Sequence, residues 1–240
     1  MNKEEQKLLE QSLNYILKEE MEKIKNSVKE YILKDSSKGI SQMIGRRYGH
    51  MWQKLVIQTF NHSKEINVGE RILYKDYVEA WLRHNLNDEM NKCCRKSSRE
   101  IVRKFLDENT GTDQQDLCDY TFYKSEEKVY AVDTKFRFIS NDSNTVREIA
   151  DSARHLKFMG YKPVLLIRRK KSESISSPIK RFEKQGWILK CGQDASDFIL
   201  KKTGFDLGEW IDVNIRVWDE LKEYQNELIK LRFGKENWEY

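Results

Sequence analysis

The sequence predicts an α/β protein with a mixed central sheet and helical additions at its N-terminal and C-terminal ends. Three observations support this fold class. Helical periodicity dominates the first hundred residues, two strand-like runs within residues 116–138 flank a polar turn, and a helical stretch and a continuous apolar run follow them. Because a strand, a crossover helix and a further strand of one sheet pair in parallel, the predicted sheet combines antiparallel with parallel strands.

The N-terminal part, residues 1–107, is predicted to be mainly helical. Apolar residues recur three or four positions apart from Leu8 to Ile32, which indicates a long amphipathic helix over residues 3–34. A second helix is expected at residues 47–60. One or two more are expected between Lys75 and Asp107.

The α/β core is predicted to occupy residues 112–204. Its first feature is the hairpin, whose turn lies near residues 124–127. Thr145 and Glu148 have the spacing of a capping box, and the apolar positions after them predict a helix over residues 145–159. The remaining predicted elements are a buried strand at 163–168, a helix near 177–185 and a strand in the segment GWILKC.

The C-terminal part, residues 205–240, is predicted to contain a helix near residues 211–232. Its apolar residues have a and d spacing and are Val217, Leu221, Tyr224, Leu228 and Leu231. This face either packs against the same chain or forms a dimer contact. Barely two heptads are present, which is short for a dimer contact. With two prolines and no low-complexity tract, the chain is expected to form a single domain, residues 1–240.

Charge and composition limit the classes of function. The chain has 44 Lys and Arg against 39 Asp and Glu, and residues 162–202 alone hold eleven basic and four acidic residues. Such a segment suits a polyanionic partner, although charge runs are also typical of solvated surfaces. The four histidines show no metal-ligand spacing and no pairing with a nucleophile, which argues against a zinc hydrolase or a Ser or Cys–His triad.

Cysteine spacing and the N-terminal residues bear on the compartment. The four cysteines include no CxxC pair, so we expect reduced thiols and neither a zinc ribbon nor a disulfide framework. The N-terminus is charged throughout, and no run of about 18 apolar residues occurs. We therefore expect a cytoplasmic protein without a membrane partner.

The hairpin presents a candidate site. Asp133 and Lys135 share one face of their strand, and a turn centred between residues 125 and 126 puts Asp119 opposite residue 132, within one position of Asp133. Two such carboxylates repel each other unless a cation lies between them, and hard oxygen ligands of this kind select Mg²⁺. Lys135 would then orient or deprotonate a water molecule, or stabilise charge on a phosphate.

The pattern of Asp119, thirteen intervening residues and Asp133-Thr134-Lys135 resembles the signature of the PD-(D/E)xK nuclease superfamily. The order of elements is also similar to the αβββαβ core of that superfamily. Over roughly residues 46–170, the segments VDTKFRF and SNDSNTVREIADSARHLKFMGYKPVLLIRR look most like type II restriction endonucleases. Gly49 and Gln53 have the spacing of a glycine and a glutamate that many members carry.

The resemblance implies a restriction-endonuclease-like fold and Mg²⁺-dependent hydrolysis of double-stranded DNA at a specific, palindromic site by a homodimer. The acid pair would hold Mg²⁺, Lys135 would serve the attacking water, and Gln53 would hold a metal-bound water. Further residues could contact DNA. These residues are Arg137, Ser143, Asn144, Arg168, Arg169 and Lys170. Arg137 would contact the scissile phosphate or form a salt bridge, and Ser143 and Asn144 would hold a phosphate or only cap the helix that follows. Arg168 and Arg169 would read guanine edges or only neutralise phosphate charge.

Other functions remain open at this stage. The same core could belong to a structure-selective DNA repair nuclease or a junction nuclease. A non-catalytic DNA-binding protein would use only the basic segments, among them residues 91–104, which could also form a solvated helix. An interaction protein would use the terminal helices. The Asp133–Lys135 pair would then be an ordinary ion pair on a solvated strand edge.

Overall fold

The computed structural model describes residues 1–33, 40–90, 115–123, 129–136, 143–170 and 176–214, with a few positions between 223 and 230. The helices of this part are α1 (Lys3–Leu33), α2 (Ile40–Asn61), α3 (Tyr74–Met90), α4 (Ser143–Phe158), α5 (Ser176–Gln185), α6 (Gln193–Thr203) and α7 (Leu207–Asn214). The strands are β1 (Asn67–Gly69), β2 (Ile72–Leu73), β3 (Asp116–Cys118), β4 (Tyr120–Tyr123), β5 (Tyr130–Lys135), β6 (Lys162–Ile167) and β7 (Ile188–Cys191). Among the described helices, none combines the length and apolar character needed to cross a membrane.

The main sheet is mixed, in the order β1-β4-β5-β6-β7. β1 and β4, and β4 and β5, are antiparallel, whereas β5, β6 and β7 run parallel. The chain passes from β5 through α4 to β6 and from β6 through α5 to β7, as parallel neighbours require. The predicted α/β class, the hairpin and the parallel crossover are confirmed.

Two hydrophobic cores lie on the two faces of this sheet, because successive strand side chains point in opposite directions. On one face Val132, Val164 and Leu166 pack with apolar residues of α1, α2, α6 and α7. On the other face Leu165 and Ile167 pack with residues of α3, α4 and α5. The parallel strand β6 is therefore buried on both faces, which explains its continuous apolar sequence.

Several observed bounds differ from the predicted ones. Helix α4 begins at Ser143, two residues before the predicted start at Thr145. Strands β1 and β2 were not predicted, because three and two residues are too few to show an alternating pattern. Helix α6 was also missed. Its N-cap residue is Gly192, which provides no side-chain cap, so the usual sequence sign of a helix start is lacking.

Some predictions fall on residues outside the described part. These are the helix expected beyond Met90, including the basic residues 91–104, and most of the helix expected at 211–232. Of the heptad residues, only Tyr224 lies among the described positions. The proposed dimer contact through this helix therefore stays a prediction.

The packing of Phe122 leads to a stability prediction. Phe122 is fully buried, and its ring lies 4.6 Å from the ring of Phe60 and 4.8 Å from that of Tyr130. We expect Phe122→Ala to lower the free energy of unfolding by about 3–5 kcal/mol, since the core cannot fully close over the lost ring. Urea denaturation checks this, with Tyr15→Ala as control because Tyr15 is 70% exposed. Equal losses in both variants would contradict the assignment of Phe122 to the core.

Candidate active site

Asp119 lies where the chain leaves one sheet and enters another. β3, just before it, pairs with β2 in a two-stranded sheet, whereas β4, just after it, pairs with β5 in the main sheet. The N–H of Asp119 donates to the carbonyl oxygen of Val132 at 2.9 Å, which ties this bend to β5. The single strand predicted over residues 116–123 is thus two strands, and the bend between them places the carboxyl group of Asp119 against β5.

The register of the hairpin brings Asp119 beside Asp133. Tyr120 pairs with Val132, one position away from the predicted register, so Asp119 lies at the end of this ladder, beside Val132 and Asp133. The two carboxyl groups are neighbours, because Oδ2 of Asp119 accepts hydrogen bonds from Thr134, the residue next to Asp133, and the charge of Asp133 raises the pKa of Asp119. The structure therefore brings the two predicted acidic residues together.

Lys135 completes the group. Its Nζ donates to Oδ1 of Asp133 at 2.7 Å. The side chain of Asp133 is 10% exposed and that of Lys135 is 34% exposed, so the pair lies at the boundary between the sheet and solvent. Solvent therefore reaches part of the lysine side chain, while the carboxyl group of Asp133 stays largely screened from bulk water.

The electrostatics of the site follow from this crowding. Burial, and next to it the charge of Asp133, raise the pKa of Asp119 from 3.8 to about 7. Burial lowers the pKa of Lys135, but the carboxylates of Asp133 and Asp119 raise it more, so it lies above its ordinary value. Without a cation, Asp119 is therefore partly protonated near neutral pH, and Lys135 is an ammonium group.

Comparisons with protein-family models, curated proteins and solved structures give no match. The resemblance to the PD-(D/E)xK nucleases therefore stays a prediction from the sequence.

The donor set suits Mg²⁺ better than Zn²⁺. Mg²⁺ keeps several of its waters and binds proteins through one or two carboxylates together with phosphate oxygens of a substrate, and two adjacent carboxylates meet that need. A structural or catalytic zinc ion takes three or four protein ligands, and the described residues contain no group of three or more His, Cys, Asp or Glu able to hold a metal. Cys118 lies next to the site, but burial raises its pKa to about 12, so its thiol stays protonated.

Gln53 and Asp116 are placed differently from the central group. Gln53 is half-buried on α2 and, among the described residues, makes no hydrogen bond with either carboxyl group. Asp116 begins β3, is exposed and accepts a hydrogen bond from Arg71 at 3.3 Å. Asp116 is therefore not part of the carboxylate pair, and the predicted support of a water by Gln53 stays a prediction.

The predicted DNA-contact residues have mixed outcomes. The Arg168 side chain is only 18% exposed and forms an ion pair with Asp212 of α7, so its charge is already matched within the chain. Arg169 is exposed with its guanidinium 5.4 Å from the ring centre of Phe136, and Lys170 is exposed. Arg137 and the side chains of Ser143 and Asn144, which begin α4, lie outside the described residues.

A small pocket, partly open to solvent, lies on the other face of the sheet. Its walls are mainly apolar and include Trp52, Phe136 and Trp210, with Arg168 as the charged residue. Since Asp133 alternates with Val132, which packs in the core on this side, the carboxyl group of Asp133 does not face the pocket. We therefore do not place the chemistry there.

Thr134 is the residue that the sequence prediction missed. Its N–H donates to Oδ2 of Asp119 at 2.6 Å, and its Oγ1 donates to the same oxygen at 2.5 Å. Strand alternation placed Thr134 on the face away from Asp133 and Lys135, so sequence reasoning gave it no role. Only the bend at Asp119 brings that carboxyl group within reach of it.

Proposed function

We propose that the protein is a Mg²⁺-dependent endonuclease that hydrolyses phosphodiester bonds of double-stranded DNA, of the type II restriction class. The observation that carries this proposal is the placement of the Asp119 carboxyl group, which is bonded to Thr134, beside Asp133, whose carboxyl group is bonded to the ammonium group of Lys135. Such a group suits a reaction in which negative charge develops on a phosphate. The other residues support the proposal through the surface around this group.

Asp119 and Asp133 would hold the Mg²⁺. When bound, Mg²⁺ supplies positive charge that lowers the pKa of water and offsets charge on the phosphate. Because its pKa lies above the ordinary value, Lys135 acts as an ammonium donor that orients the attacking water and stabilises charge, not as the base that deprotonates it.

In the proposed reaction the oxygen of water forms a bond to phosphorus and one P–O ester bond breaks. The leaving ester oxygen takes up a proton and becomes a hydroxyl group, and the proton lost by the attacking water passes to solvent. Lys135 can donate a hydrogen bond to a phosphate oxygen throughout, because its side chain is 34% exposed while its ammonium group is held by Asp133.

The edge of the sheet beside Lys135 supports a polyanionic substrate. Lys135 pairs with Ile167 in the parallel ladder, so the loops after β5 and β6 emerge at the same edge. The N–H of Arg168 donates to the carbonyl oxygen of Lys135 at 3.0 Å, and the exposed Arg169 and Lys170 follow directly. Cations at this edge would hold a DNA backbone near the carboxylates.

The order of elements supports a restriction-endonuclease-like core. The elements α2, β1, β4, β5, α4 and β6 follow the αβββαβ order, with β2, α3 and β3 inserted after the first strand. We also propose a homodimer, because two sites related by a twofold axis match a palindromic duplex. The Asp119–Asp133 pair would then occur once in each protomer.

A plasmid digest tests the function. We expect cleavage in the presence of MgCl₂, discrete bands on a gel, and no cleavage when EDTA removes the cation. A smear would indicate a non-specific nuclease, and cleavage confined to branched DNA would indicate a repair or junction enzyme. DNA binding without cleavage of any DNA substrate in MgCl₂ or MnCl₂ would contradict an enzyme and favour a binding module.

A further inference from the structure

Thr134 gives Asp119 two hydrogen bonds from one residue. Its N–H and its Oγ1 both donate to Oδ2 of Asp119, at 2.6 and 2.5 Å. Thr134 itself is only 5% exposed, and its backbone is fixed in the parallel ladder opposite Leu166. The carboxyl group of Asp119 is therefore held by a donor pair that cannot easily move.

The bend at Asp119 explains why this arrangement exists. β4 ends its ladder with β5 at the pair Tyr120 and Val132, and the preceding strand turns away to pair with β2. Thr134 lies two positions after Val132 on β5, where β4 no longer pairs with it. Its buried N–H would then lack a backbone acceptor, and an unpaired buried N–H is unfavourable. The Asp119 side chain supplies that acceptor, so the fold fixes the carboxyl group as it satisfies the strand.

Each of the two carboxyl groups is held through one of its oxygens. One oxygen of Asp119 accepts from Thr134, and one oxygen of Asp133 accepts from the Nζ of Lys135 at 2.7 Å. One oxygen of each carboxyl group is thus engaged in these bonds, and the other oxygen takes no part in them. Because both carboxyl groups are already fixed before a cation binds, their side chains lose less conformational entropy when it does.

We propose that Thr134 is a positioning residue, whose hydroxyl and N–H fix Asp119 so that its remaining oxygen is directed to a divalent cation shared with Asp133. This inference rests on the proposed function, since it assigns Thr134 to the same metal site. Thr134 acts through Asp119 and does not itself touch the cation.

Three variants test the role. Thr134→Val removes the hydroxyl and keeps the β-branched shape, Thr134→Ser keeps the hydroxyl, and Thr134→Ala removes the hydroxyl without the bulk of valine. Thr121→Val is the matched control, because the hydroxyl of Thr121 on the neighbouring strand donates to the carbonyl oxygen of Glu70 and not to the site. Titration calorimetry with MnCl₂ alone measures cation binding, and thermal denaturation reports folding.

We expect Thr134→Val and Thr134→Ala to bind Mn²⁺ about 10-fold more weakly, as for loss of one hydrogen bond to a charged group. Thr134→Ser and Thr121→Val should bind like the wild type. In cleavage assays the MnCl₂ concentration for half-maximal rate should rise by the same factor, while the rate at saturating MnCl₂ returns close to that of the wild type.

The outcomes separate the two proposals. Wild-type protein that binds Mn²⁺, with Thr134→Ala binding it equally well, overturns the role of Thr134 and leaves the nuclease proposal standing. A serine variant as weak as the alanine variant also overturns it, because the hydroxyl would then not be the active group. Wild-type protein that binds neither Mn²⁺ nor Mg²⁺ overturns both proposals.

Discussion

Asp133→Asn is expected to reduce Mg²⁺-dependent DNA cleavage by about 1,000-fold, because a cation that supplies several kcal/mol of transition-state stabilisation would lose one of its two carboxylates. Asparagine keeps the shape of the side chain but not its charge. It would also release the ammonium group of Lys135, which Asp133 now holds at 2.7 Å. Plasmid cleavage rates at saturating MgCl₂ measure the change.

DNA binding should survive this substitution. The cations that we assign to the DNA backbone, Arg169 and Lys170, lie in the segment that follows β6 and do not depend on Asp133 for their position. A gel-shift assay should therefore give an affinity within about 3-fold of the wild type, or tighter, since a negative charge is removed. Melting temperatures of wild type and variant confirm that both are folded.

Asp116→Asn is the matched control for this experiment. Asp116 lies on the strand just before Asp119, but it is exposed and paired with Arg71. Its replacement should leave cleavage close to the wild-type rate. Unchanged cleavage in Asp133→Asn, or equal losses in both variants, would show that the Asp119–Asp133 pair is not the catalytic centre.

The hairpin was predictable because its signals are local. The alternation around Asp133 and the polar turn fix the strands to within a residue, and the capping signal and apolar spacing that follow fix the crossover helix. The apolar segment of β6 could be identified as buried because parallel strands are covered on both faces. These local features are enough to predict that Asp119, Asp133 and Lys135 lie close together.

Other features depend on contacts between distant parts of the chain. The bend at Asp119 exists because β3 pairs with β2, and Ile72 lies 46 positions before its partner Cys118. The hydrogen bonds of Thr134 are a consequence of that bend. Likewise, Arg168 forms an ion pair with Asp212, which follows it by 44 positions. A local sequence pattern does not predict an ion pair between residues so far apart.

Asp119→Asn is expected to stabilise the cation-free protein at alkaline pH, although the same change should abolish cleavage. The pKa of Asp119 is about 7 in the folded chain, against an ordinary value of 3.8. Between these pKa values the folded state binds more protons than the unfolded state. The contribution of Asp119 to the free energy of unfolding is therefore fully present below about pH 4 and is lost as the pH rises through about 7. Stability is lost because the charged Asp119 is removed from water and is repelled by the neighbouring Asp133.

Asparagine removes this penalty because it is neutral at every pH. Its amide oxygen can still accept the hydrogen bonds of Thr134, and its amide group can donate to the neighbouring Asp133. In EDTA we therefore expect the variant to exceed the wild type in free energy of unfolding by roughly 1–3 kcal/mol at about pH 8, and to match it near pH 4. Urea denaturation at the two pH values measures both differences.

Divalent cation should reverse the order. MgCl₂ binds the two carboxylates of the folded wild type and raises its melting temperature, whereas the variant, with one carboxylate left, should gain little. Asp116→Asn should behave like the wild type in EDTA and in MgCl₂. A variant that is less stable than the wild type at about pH 8 in EDTA would mean that Asp119 is not under electrostatic strain. The proposal that this strain is relieved by a bound cation would then fail.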